Sequence, residues 1–404
     1  MLREKENLKK ELWQRAEKTL FTLYGETPDA RILKRFYDEK MFFGNTDTII
    51  VWDITADIRL EAKHRGHLTN LTGTDSSCFV AYLLGASDIN PLELHYHCPN
   101  CGKIEFIENK RLLPFDIADK PCECGHNMRA NGFDIPYEMH IGRTKAHLTV
   151  APQVIEIAEN IIRERICGIF DYFTRIRRTS SGFTTFVFGE KHNGQYPGIN
   201  LIVSAEYDRA RMLTEATGTD FGEILMSISK RYLYASRLVS EIANGNTAGV
   251  LDFDFNNHPR AGRLKEYLAI ASPQSSYDLL KFLGAIHGTH NWLYNADTLV
   301  KKGVCNLSEI PSFRDVVFMI LSDDSKINTD ITLDIANKIS KGLRSNELTD
   351  SEYNLLEHLD LPSWFMTYVE KVRYMSSKAA VIGTLRIALT FMWFKINYPD
   401  NFEM

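Results

Sequence analysis

The stretch HYHCPNCGKIEF, residues 95–106, is answered downstream by KPCECGH, residues 120–126. Cys98 and Cys101 form a CxxC knuckle, in which two thiolates reach one ion from a tight turn. After twenty intervening residues Cys122 and Cys124 make a CxC. Four thiolates at tetrahedral positions close a structural zinc site, and His97 or His126 is the alternative to one sulfur. Such a site has no open position, so it supports folding and not chemistry. The bland alternative is a lapsed set of reduced cysteines.

Working outward, the chain has 404 residues, enough for two or three domains, with 44% apolar and 25% charged residues and a net charge of −5. No global basic field advertises nucleic acid, although a local basic groove is compatible with that sum. The N-terminus MLREKENLKKELWQRAEK is charged where a signal peptide would be apolar. No uncharged apolar run reaches membrane-spanning length, so no membrane partner is expected. Seven cysteines, four of them clustered, fit metal binding in a reducing compartment. A cytoplasmic protein is expected.

Residues 8–24 show helical spacing, and 47–60 open on β-branched residues, predicting a strand that runs into a helix. Residues 153–166 predict a helix, 183–190 and 198–207 two strands, and 221–246 one long helix ended by Asn-Gly-Asn. Beyond about 260 nearly everything is helical. The expected fold is an α+β N-terminal half followed by an all-α half.

The segment from Asn90 to Gly142 resembles the palm of PolC-type DNA polymerase III alpha subunits. It shares an NPL turn (90–92), the CPNC knuckle, Phe106, the DKPCECG knuckle (119–125) and GFDIPYE (132–138). The resemblance returns at PQSSYDLLKFLGAIHGTHNWLYNADTLVKKG (273–303), at LSEIPSFRDVVFMIL (307–321) and at 361–399, in the manner of that family's fingers. It covers over half the chain. It implies a palm-like, nucleotidyltransferase-type sheet with a zinc knuckle at 95–130 inside a region 1–150, a divergent α/β palm- or thumb-like region 151–258, and a helical fingers-like domain 259–404. It also implies nucleotide or DNA contacts at Ser76, Ser77, His287, Trp292, Arg314, Lys378 and Arg386.

The departures matter as much. Two-metal nucleotidyl transfer needs carboxylates to clamp the attacking and leaving oxygens. Counting from Gly142 places Val150 and Pro152 where the family has two aspartates, and no aspartate lies between Asp134 and Asp171. The family's Gly-Ser phosphate loop reads Ser76-Ser77 here, beside a repelling Asp75. The resemblance stops near NYPDNFEM, leaving no room for the family's helix-hairpin-helix, OB, PHP and exonuclease parts, so processive synthesis is not expected. Asp252 and Asp254, one residue apart in VLDFDFNN, would face one side of a strand and are the candidates for relocated metal carboxylates; a solvated turn is the plainer reading. Arg175, Arg177 and Arg178, and Lys230, Arg231 and Arg237, are candidate backbone-tracking cations or simply solvated faces.

The leading expectation is therefore a PolC-like protein of DNA replication without polymerase activity. It would hold structural zinc and act by binding DNA or a replication protein. The alternative is a minimal DNA-directed DNA polymerase with relocated carboxylates, and magnesium would enter only in that case. A zinc-stabilised scaffold without a nucleic-acid role is the third class.

Overall fold

A computed structural model describes residues 2–178, 183–191, 194–228, 232–251, 263–322 and 327–403. Three helices open the chain: α1 (Leu2–Tyr24), α2 (Ala30–Phe43) and α3 (Thr48–His64). On α1, Leu12, Trp13, Ala16, Leu20 and Tyr24 form the buried stripe, as the spacing predicts. Segment 47–60 departs from expectation, because it is helical from Thr48 and contains no strand. Thr48 through Thr55 are all buried, since α3 is sandwiched between α1, α5 and the main sheet. The first two turns of α3, enclosed on every side, show no solvent-facing stripe, so this β-branched start reads as a strand.

The remaining elements are β1 (Thr69–Thr72), α4 (Phe79–Leu83), β2 (His95–His97), β3 (Ile104–Phe106), β4 (Lys120–Pro121), β5 (Asn127–Asn131), β6 (Lys145–Val150), α5 (Val154–Ile166), β7 (Phe173–Arg178), β8 (Phe183–Phe188) and β9 (Gly198–Val203). From there the described residues are helical: α6 (Ala205–Thr217), α7 (Phe221–Ile228), α8 (Tyr232–Ala243), α9 (Leu264–Ala271), α10 (Ser276–His287), α11 (Asp297–Lys301), α12 (Arg314–Ser322), α13 (Thr329–Lys341), α14 (Asp350–Glu357), α15 (Phe365–Lys371), α16 (Lys378–Asn397) and α17 (Pro399–Phe402). The architecture is mixed α+β, with both sheets in the first half. The predicted strand 198–207 stops at Val203, where α6 begins, and the predicted helix 221–246 is divided between α7 and α8.

The main sheet has the order β1-β6-β9-β8-β7, antiparallel throughout except for the parallel pair β6 and β9. Residues paired across neighbouring strands project to one side. Leu71, Ala146, Leu148, Val150, Ile199 and Leu201 thus share a face, which is buried beneath α3 and α5. Asn70, Thr72, His147, Thr149, Asn200 and Thr185 share the other, more open face.

Helix α16 packs against α7, α8 and α10 and reaches β1. Gly383 makes that last approach possible, because an added Cβ would lie 2.1 Å from Asn70 Nδ2. With a mean hydropathy of 1.5 over its apolar window, α16 is the one described helix long and apolar enough to cross a membrane, yet most of it is buried in this core.

Candidate metal centre and the open sheet face

The cysteine segment folds into a second sheet, β3-β2-β5-β4. Cys98 and Cys122 follow β2 and β4 directly, each at the start of a tight turn closed by Cys98 N–H to Lys103 O (2.9 Å) and Cys122 N–H to His126 O (2.7 Å). Cys98 Sγ lies 3.4 Å from Cys124 Sγ, and Cys101 Sγ lies 3.7 Å from Cys122 Sγ. All four sulfurs fall within 4.8 Å of one another. Tetrahedral coordination at about 2.3 Å per Zn–S bond separates sulfurs by about 3.8 Å, so the four side chains fit one ion. A backbone N–H bond at His126 pulls the Cys124 thiol down to about 6. His97 is turned away, with Nε2 on the Leu23 carbonyl at 2.8 Å. The exposed His126 has Nδ1 3.7 Å from Cys124 Sγ. The knuckle docks on the end of α1, where Gly102 (φ +72) meets the Tyr24–Gly25 backbone too closely for any side chain.

Val150 ends β6 with its side chain in the core, and Pro152 lies in the turn before α5. Val150 therefore looks inward, and the positions of this strand that look outward are His147 and Thr149. On this face the strand-to-strand contacts are neutral. His147 Nε2 is 2.9 Å from Asn200 Nδ2, and Thr185 Oγ1 donates to Asn200 Oδ1 at 2.8 Å. The carboxylate beside this row is Asp75, 1% exposed, whose Oδ2 is 3.6 Å from His147 Nδ1 and whose Oδ1 is 3.6 Å from His140 Nε2. Burial opposes ionisation of Asp75, but the His140 and His147 rings and the Trp52 N–H outweigh it and hold its carboxyl below the usual range. Burial pushes His140 down to about 4, so this ring is neutral at physiological pH. Among the described residues, this row offers one carboxylate among imidazoles and amides, which does not fit a pair of magnesium ions, since these demand oxygen ligands in octahedral array.

The loop that would hold phosphate is closed by the protein itself. Ser76 Oγ donates to Leu71 O at 2.6 Å and Ser77 Oγ to Thr74 O at 2.5 Å. The N–H groups of Phe79 and Val80, which open α4, donate to the buried carboxylate of Glu39 at 2.7 and 2.9 Å. Arg35 binds Glu39 through Nε at 2.7 Å and ties the loop down through Ser77 O (2.6 Å) and Ile135 O (2.9 Å). Glu39 thus occupies the donors that an anion would use there.

The helical candidates separate. Trp292 is fully buried against Phe282 and Tyr267, and His287 ends α10 half-buried. Lys378 and Arg386 lie on α16, as predicted, but serve different places. Lys378 Nζ donates to Asp134 O at 3.0 Å and its backbone N–H to Asp315 at 2.6 Å, whereas Arg386 Nη2 reaches Met226 Sδ at 3.3 Å near Asp88. Arg314 heads α12 beside Arg143. Burial, then the charge of Arg314, lowers the Arg143 pKa. Asp252, Asp254, Lys230 and Arg231 lie outside the described residues, as do the side chains of Arg177 and Arg178. Sequence reasoning missed Glu39, Arg143, His147 and Asn200. For the last two, the alternation of β6 was an available signal.

No protein-family model matches the chain. Curated proteins named DNA polymerase III PolC-type do match it. That of Lacticaseibacillus paracasei is 25% identical over 98% of this chain and 32% of its own length. Those of Streptococcus suis and Caldanaerobacter subterraneus are 24% and 22% identical over 84% and 94% of this chain, and 29% and 32% of their own. The chain spans about a third of the length of these relatives. Over that span, it is a relative of PolC-type DNA polymerase III.

Proposed function

We propose that the chain acts in DNA replication as a binding protein derived from the PolC palm and fingers, without nucleotidyl transfer at the main sheet. The observation that carries this reading is the row His147–Asn200–Thr185, a hydrogen-bonded set without a carboxylate, with the single carboxylate Asp75 beside it at 3.6 Å from His147 Nδ1, on the face that a two-metal site would need. The carboxylate of Glu39 on the Phe79 and Val80 N–H groups supports it, because a triphosphate would have to displace a buried anion. In this reading residues 1–150 are palm-like, 151–258 a divergent continuation and 259–404 fingers-like. The four cysteines hold structural zinc, DNA or a replication protein is the partner, and the protein is cytoplasmic. The enzyme alternative, through Asp252 and Asp254, rests on residue spacing alone.

Gel-shift binding of DNA at low and moderate salt tests the binding half. Phosphate contacts release counterions, so affinity must fall steeply as salt rises. Absence of binding at low salt, by single-stranded and duplex DNA alike, overturns it.

A further inference from the structure

Four non-glycine residues among those described sit at positive φ, and two of them, His290 (φ 59) and Tyr294 (φ 58), lie in the turn between α10 and α11. Left-handed backbone at a histidine and a tyrosine costs about 1 kcal/mol or more each and persists where the surroundings impose it. Tyr294, at one of these positions, is 73% exposed, the most exposed large hydrophobic residue described. The same turn is stitched to the segment before α16: Thr289 N–H donates to Tyr374 O and Arg373 N–H to Thr289 O, both at 2.9 Å, and Lys371 Nζ reaches Tyr294 O at 3.4 Å. Tyr374 is itself 49% exposed.

Cations lie on or beside the segments that carry these two rings. Arg143 lies near Tyr374, with Asp75 and Asp315 close enough to offset its charge. Arg373 is approached by Arg344, because Gly342 (φ +90) lets the end of α13 touch the Arg373 backbone. Among the described residues, none of Arg143, Arg344, Lys371 and Arg373 is in an ion pair. Glu370 is the exposed carboxylate on this stretch. Surface cations are normally matched by nearby acids in a chain of net charge −5, so Arg344, Lys371 and Arg373 present positive charge without an ion pair among the described residues, on or beside the segments that carry the exposed rings.

We propose that Tyr294 and Tyr374, with Lys371, Arg373 and Arg344, form a binding track for single-stranded nucleic acid. It rests on the DNA-binding reading above and narrows it to strands whose bases are free. Rings offer every base a stacking face, while the cations follow the phosphates. A duplex hides its bases and satisfies only the charges. An acidic polypeptide would do the same.

The test is fluorescence anisotropy of a labelled oligothymidylate of about 16 nucleotides, with a duplex of equal length and polyglutamate as competitors. Tyr294→Gly removes the ring and relieves the positive φ, so folding is retained, and Tyr294→Phe keeps the stacking face. Tyr294→Gly and Tyr374→Ala are each expected to weaken oligothymidylate binding about tenfold. Tyr294→Phe should bind as the parent does. Lys371→Ala should lower the salt slope by about 0.7. If the parent binds but both ring-deleted variants bind equally well, or if duplex or polyglutamate competes as strongly as oligothymidylate, this track is wrong while DNA binding stands. If the parent binds no nucleic acid at low salt, both fall.

Discussion

Nε2 of His147 lies 2.9 Å from Nδ2 of Asn200 across the parallel strands β6 and β9, at the one parallel junction of the main sheet. Directly paired residues on neighbouring strands sit close enough for two carboxylates to share a cation. The double substitution His147→Asp with Asn200→Asp is therefore expected to create a divalent-ion site. Thermal unfolding with and without millimolar manganese measures it. The variant should gain more than about 1 kcal/mol on adding the ion, and the parent should not respond. An equal response from the parent would show that the native face already holds such an ion.

Glu39 is completely buried and joins Arg35 to the start of α4. Removing one partner of a buried ion pair leaves the other charge uncompensated, at a cost of about 3–5 kcal/mol. Glu39→Ala should lose stability on that scale in urea unfolding, and the N–H groups of Phe79 and Val80 lose their acceptor as well. A loss below about 1 kcal/mol would mean that Glu39 does not hold the loop.

The purified chain should carry one metal ion per molecule, released by chelation with loss of stability. Cys98→Ser should remove the ion. His97→Ala should retain it, because that ring bonds to the Leu23 carbonyl; it should instead loosen the knuckle from α1 by about 1 kcal/mol. Loss of metal from the His97 variant would make it a ligand after all.

His95 and His140 are both buried and pushed down to about 4, chiefly by desolvation. Their folded pKa values lie below the unfolded value of about 6.5, so between these limits the unfolded chain binds more protons. Stability then rises with pH across roughly 4 to 6.5 and is lost as pH falls, by up to about 3 kcal/mol per histidine. Replacing both by glutamine should flatten urea-unfolding stability across that window. Lys281, 1% exposed and held down to about 7 by burial and then by Lys378, acts in the same direction at higher pH, since its unfolded pKa is near 10.4. Stability should climb from pH 7 towards 10, and Lys281→Met should abolish that climb.

The cysteine pairs were legible because a knuckle is local: spacing alone brings two sulfurs together, and the turns do the rest. The start of α3 was not, since burial on every side erases the helical period. At β6 the side of the sheet belongs to register, and only the pairing with β1 and β9 turns His147 outward and Val150 inward. Glu39 and Phe79 are forty positions apart, and nothing in either neighbourhood announces their contact. Trp292 reads as a contact residue near His287 but fills the core, whereas Tyr294, two residues on at positive φ, is exposed.

Primer extension by the purified chain on a primed template, with magnesium or manganese, tests the central claim directly. The account predicts no template-dependent nucleotide addition with either ion, because the described residues on the open face of the main sheet offer only Asp75 to hold it. Template-directed extension that disappears on Asp252→Ala or Asp254→Ala would contradict it.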